Sequence, residues 1–220
     1  HQGALSVAHR LAMEGVIRSR LGFVLLAFLK GSAGSLKAGE YEIPRSANTV
    51  QILGFLEEGK VKQHVVLFPE GGMVQNLAQI LQAEGLARAG DVLRLSRDPL
   101  FLRTLGIEAP SLEGYLFPDT YRFFKGLASE EMLARMVGRL RAQVTDDLLA
   151  QAEARGLTLH QLLTLASIIE REAVIPQEHS LISAVFWNRL KREMPLQADP
   201  TVQYAVGKDR QALTREDLRV

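Results

Sequence analysis

At 220 residues, 47% apolar and 23% charged, the chain has the make-up of an ordinary soluble globular protein and is long enough to bury a real core. Its formal net charge of +1 gives the chain as a whole no pull toward nucleic acid or anionic lipid. The absence of cysteine removes disulfides, thiolate chemistry and sulfur-ligated metals, and His1, His9, His64, His160 and His179 fall at no local metal-ligand spacing, so neither a metal nor a cofactor is expected.

In chain order, Ala4–Gly15 (ALSVAHRLAMEG), Val50–Gly59 (VQILGFLEEG) and Met73–Gly85 (MVQNLAQILQAEG) each carry apolar residues at helical spacing and stop at glycine. That residue ends helices because it adopts positive φ without a Cβ penalty. The longest apolar stretch, Leu21–Leu29, is far short of the about 20 residues needed to cross a bilayer. Gly39–Ile43 (GEYEI) and His64–Phe68 (HVVLF) read as strands, bounded by Pro44 and by Pro69 through Gly72. The order helix, helix, strand, helix, strand, helix predicts a small α+β module over residues 1–96.

From about Arg97 the character changes to mainly helical. Asp98-Pro99 opens a short segment, and Leu112–Phe124 (LEGYLFPDTYRFF) is the most aromatic stretch, with Pro118-Asp119 as a turn signal. Ser129 is expected to cap a helix over about 130–143, with another over about 145–155. Thr158 and Gln161 form a capping-box pattern for a helix reaching about Ala173. Further helices are expected from about Gln177 to Arg192 and from Pro200, with Asp199 as N-cap, and Thr214 caps a last turn.

On a wheel of the Leu159–Ala173 helix, Leu159, Leu162, Leu163, Ala166 and Ile169 share one side, Leu165 and Ile168 extend the arc, and Glu170 falls within it. A carboxyl held among apolar neighbours gains the raised pKa that a general acid needs. The ordinary alternative is a buried Glu170 paired with an arginine such as Arg189, because structural ion pairs outnumber catalytic ones. Phe186–Thr201 (FWNRLKREMPLQADPT) supplies Asn188, Arg189, Gln197 and Asp199 as partners for sugar hydroxyls and N-acetyl groups. Trp187 in that segment is either a stacking face or core, and Asp199-Pro200 is equally a plain helix start.

Five segments in order resemble the YceG-like family of endolytic murein transglycosylases: LKAGEYEI (Leu36–Ile43), LEGYLFPDTY (Leu112–Tyr121), ASIIEREA (Ala166–Ala173), VFWNRL (Val185–Leu190) and LQADPTVQYAVG (Leu196–Gly207). The resemblance implies Glu170 as the catalytic acid/base, with Gln197, Asp199, Thr201, Asn188 and Tyr121 around the sugar. It implies a LysM-like, glycan-binding α+β module at 1–96 and a mainly helical transglycosylase domain at 97–220. That domain would be C-terminally truncated, since family members continue with a segment that completes it. By the same resemblance the substrate is peptidoglycan, cut at nascent strands to leave 1,6-anhydro ends, with peptidoglycan synthases as partners by family analogy only. An N-terminal transmembrane helix before residue 1 would hold the parent protein at the outer face of the inner membrane. Two other functions stay open: a muramidase-type hydrolase using Asp199 or Glu172 as second carboxylate, and a non-catalytic glycan-binding scaffold.

Overall fold

The computed structural model describes residues 3–37, 39–207 and 212–219. Among them, helices predominate and two strands pair in one sheet, an α+β arrangement. The helices are α1 (Ala4–Met13), α2 (Arg20–Leu29), α3 (Thr49–Glu58), α4 (Val74–Ala83), α5 (Ala89–Leu95), α6 (Pro99–Thr104), α7 (Ser129–Gln143), α8 (Asp146–Glu153), α9 (Leu159–Glu172), α10 (His179–Lys191) and α11 (Asp199–Ala205). Strand β1 (His64–Phe68) pairs with β2 (Asp119–Phe123). The chain divides into two compact units, one made of His1–Leu67, Leu77–Leu93 and Thr120–Met132, the other of Phe68–Asn76, Arg94–Asp119 and Leu133–Val220.

In the first unit, Ala4, Ala8 and Leu11 line one face of α1, and they meet Phe23 and Ala27 of α2 and Ile52, Leu53 and Leu56 of α3 in one core. Each set recurs at three- or four-residue spacing, the period that puts side chains on one helix face. Ser19 accepts the Gly22 N–H to start α2. Asn48 and Gln51 form a reciprocal capping box on α3, which ends at Gly59 in the left-handed region, φ 70°.

The segment Gly39–Ile43, expected as a strand, begins at a bend and joins no sheet. Its backbone tie to the β1 side is the bond from Lys62 N–H to the Glu40 carbonyl, 2.7 Å. Side chains do the rest: Glu40 accepts from His64 at 2.9 Å and pairs with Lys125 at 3.1 Å, while Glu42 pairs with Lys62 at 2.9 Å. His64 and then Lys125 hold the Glu40 carboxyl below the usual carboxylate range. The partner that β1 does find is β2, in the aromatic stretch where the sequence offered only the Pro118-Asp119 turn signal.

In the second unit, Asp98 caps α6 through the Leu100 and Phe101 N–H groups, with Pro99 at its start. Thr145 caps α8. Two expected caps shift by a residue: α7 begins at Ser129 itself, and Ala198 rather than Asp199 precedes α11. The expected continuous helix from Gln177 is instead a 3₁₀ turn, Pro176–Glu178, followed by α10. Thr214 and Asp217 cap each other at the last turn, with Thr214 N–H donating to Asp217 at 2.7 Å.

The capping box on α9 forms as read from the sequence, with Gln161 N–H donating to Thr158 Oγ1 at 3.2 Å and Thr158 N–H to Gln161 Oε1 at 2.9 Å. Thr158→Ala removes one partner of that exchange and should cost about 1 kcal/mol, read as a lower urea midpoint with an unchanged slope.

Candidate functional site

Glu170 sits in the last turn of α9, and α9 packs against α8, α10 and α11. The contact is carried by Leu165 of α9, Phe186 of α10 and Ala198 just before α11, all buried, with Ile168, Ile169, Ile182, Trp187 and Leu196 packed around them. The buried direction of α9 is therefore centred on Leu165, and Ala166 is exposed. Glu170 points away from the core, with 48% of its side chain exposed. The apolar arc on the wheel is wide enough to face two ways, and the partners on α10 and α11 select the Leu165 side. The sequence expectation of a Glu170 enclosed by apolar neighbours is thus corrected.

The ion-pair alternative changes as well. The Arg189 guanidinium N–H donates to the Leu196 carbonyl, and the basic side chain beside Glu170 is His179, with Nε2 3.5 Å from the carboxylate. His179 opens α10 directly after the 3₁₀ turn. That turn is braced by Glu178, which accepts the Val174 and Ile175 N–H groups at 3.1 and 3.4 Å. No sequence pattern singled out His179, because it lies on a different helix and meets Glu170 only through the fold.

Arg189 and Ala198 shape the segment beside α9. With the Leu196 carbonyl held and Ala198 buried, the intervening Gln197 takes φ 53°, and it is exposed. A left-handed conformation in a non-glycine residue is a strain that surrounding packing must impose. Thr201 Oγ1 donates to the Ala198 carbonyl at 2.7 Å, fixing the entry to α11. Asp199 lies exposed in the first turn of α11, and Asn188 is exposed on α10. Trp187 is partly buried against the Leu165 cluster, which is the core role. Five of the six expected site residues (Glu170, Asn188, Gln197, Asp199 and Thr201) thus belong to the second unit. Tyr121 lies on β2 in the first, its ring stacked on Phe123 with centroids 5.7 Å apart.

The segment Leu112–Asp119 is tied down at several points of the second unit. Leu112 N–H donates to the Ser96 carbonyl at 2.8 Å. Tyr115 is buried, stacks on His160 of α9, and its hydroxyl meets His160 Nδ1 at 3.1 Å. Arg139 of α7 reaches Asp119 at 2.8 Å and lies over the Phe117 ring. Glu113 accepts the Val74 N–H at the start of α4 with both oxygens at 3.3 Å. Burial raises its carboxyl above the ordinary value, opposed by the Val74 hydrogen bond and the Arg97 charge.

An apolar hollow of about 290 Å³ lies against Ile107, Tyr115, Leu140 and Leu159, and it contains none of the candidate residues. Among the described residues, no group of three or more His, Cys, Asp or Glu side chains is arranged to hold a metal ion.

The pattern of the YceG-like family matches residues 1–220, and the chain belongs to that family. A Bacillus subtilis protein named endolytic murein transglycosylase is 30% identical over 231 residues, spanning 98% of this chain and 64% of that protein. A Streptococcus pneumoniae protein of the same name is 31% identical over 224 residues, spanning 90% of this chain and 40% of its own length. The chain therefore spans less than two thirds of these curated relatives. A crystal structure of a yceG-like protein from Listeria monocytogenes matches with a TM-score of 0.65 and 31% identity, covering 100% of this chain and 77% of that one.

Two outcomes test the local physics of this region. The folded chain binds the Glu113 proton more tightly than the unfolded chain does, so ionising Glu113 costs stability as pH rises from 4.5 through its raised folded value. Glu113→Gln should flatten that decline in urea melts taken across the window. Gln197→Gly relieves the left-handed strain, and should hold or raise stability by up to about 1 kcal/mol in thermal melts.

Proposed function

We propose that the protein is a peptidoglycan lytic transglycosylase in which Glu170 is the single acid/base. The observation that carries this reading is the exposed Glu170 at the end of α9, in the same compact unit as Asn188, Gln197, Asp199 and Thr201. An open carboxylate suits a polymeric glycan, which has to be gripped along its length without being enclosed.

In the proposed reaction, protonated Glu170 donates to the oxygen linking N-acetylmuramic acid to N-acetylglucosamine, and the C1–O bond breaks. The ionised carboxylate then takes the proton of the muramic C6 hydroxyl, whose oxygen closes onto C1. A 1,6-anhydro end forms, Glu170 is protonated again, and no water is consumed. Because the substrate supplies its own nucleophile, one carboxyl suffices where a hydrolase needs two at a defined separation. His179, with Nε2 3.5 Å away, is the basic side chain beside Glu170 in the step in which the carboxylate is ionised. Gln197, Asp199, Thr201, Asn188 and Tyr121 are assigned to substrate binding.

The remaining expectations from the family resemblance belong to the same proposal: residues 1–96 as a LysM-like glycan-binding module, residues 97–220 as the catalytic part, nascent strands as substrate and the inner membrane as location. The names of the Bacillus and Streptococcus relatives support the class of reaction.

Glu170→Gln should lower the rate of glycan cleavage by at least about 10²-fold with an unchanged circular dichroism spectrum. Mass spectrometry of the digest should show anhydro ends. Full activity in the purified variant sinks the assignment of Glu170, and reducing ends in place of anhydro ends make the enzyme a hydrolase.

A further inference from the structure

Packing in the first unit uses only one side of α2. Eight of its ten residues are apolar, and a helix apolar around its circumference is normally enclosed. Phe23 and Ala27 enter the core shared with α1 and α3. Leu21, Leu25, Phe28 and Leu29 do not, and they are 81%, 60%, 76% and 74% exposed. Their spacing places them in a single stripe along the outer face.

The charge along this stretch of the chain is one-sided. From Gly15 to Gly39 the sequence contains no Asp or Glu, but it contains Arg18, Arg20, Lys30 and Lys37. All four cations are exposed. Arg20 meets His9, Lys37 donates to the Glu58 carbonyl, and among the described residues no carboxylate pairs with any of the four. The net charge of +1 conceals this local excess, since the rest of the chain is net negative.

We propose that the outer face of α2, with Arg18, Arg20 and Lys30 at its ends, is a docking surface for an anionic lipid bilayer. Leucine and phenylalanine side chains enter the boundary between headgroups and acyl chains, while the arginines and lysine meet the lipid phosphates. At ten residues α2 cannot cross the bilayer, and no described helix is long and apolar enough to do so. The contact is therefore a shallow one made from the side. Charge decides against a second copy of the chain as the occupant. A two-fold interface sets each patch against itself, and this one would bring its unpaired cations together.

Co-sedimentation tests the docking surface, using the 220-residue chain with vesicles of phosphatidylethanolamine and phosphatidylglycerol and with vesicles of phosphatidylcholine alone. The chain should pellet with the anionic vesicles and stay in solution with the neutral ones. The double variants Leu25→Glu/Phe28→Glu and Arg18→Gln/Lys30→Gln should each lose at least about tenfold in partitioning. Their circular dichroism should be unchanged, because these side chains are exposed. Phe28→Trp gives an independent reading, its added indole emission shifting to the blue on anionic vesicles. The proposal is overturned if the parent chain ignores anionic vesicles, if the stripe variant pellets equally well, or if the added emission of Phe28→Trp does not move. It is also overturned if sedimentation equilibrium without lipid shows a dimer that the stripe variant abolishes.

Discussion

The burial of Leu165, Phe186 and Ala198 against one another is the constraint on which the candidate site depends. It sets the rotation of α9, and with it the outward direction of Glu170. It holds α10 so that His179 comes to the Glu170 carboxylate. It also pulls Ala198 inward while Arg189 fixes the Leu196 carbonyl, and Gln197 between them is pressed into a conformation it would not choose. Polar side chains on α9, on α10 and in the loop before α11 therefore take their directions from a small apolar contact that none of them makes.

Some caps were legible in the sequence, although those expected at Ser129 and Asp199 fall a residue away. Thr158 with Gln161 and Thr214 are short-range features whose physics is complete within four or five residues. Sheet pairing was not legible in the same way. Gly39–Ile43 has strand composition, but a strand needs a partner, and β1 pairs with residues more than fifty positions downstream. The β2 sequence, DTYRF, was hidden behind Pro118 and read as a turn.

At the site, the residue types were readable and their environment was not. Apolar residues occupy so much of the circumference of α9 that periodicity alone could not tell which flank is covered. The choice lies with Phe186 and Ala198, far along the chain. His179 and the Arg189–Leu196 bond are likewise products of tertiary folding. The family match over residues 1–220 fixes the lineage of these segments, while the half-exposed carboxylate and its imidazole neighbour are properties of the folded chain.

The thinness of that apolar contact has a consequence for motion. Between Leu159 and Arg219, Leu165, Phe186 and Ala198 are the buried hydrophobic residues among those described, whereas α7 alone buries Met132, Leu133, Met136, Val137 and Leu140. Local opening needs only the contacts of the segment that opens to be lost, so it is cheapest where few are buried. Amide protons of α9 through α11 should accordingly exchange with solvent by partial unfolding events that leave α7 intact. The lifetime of the Glu170 geometry is then set by this small cooperative segment and not by the stability of the molecule as a whole.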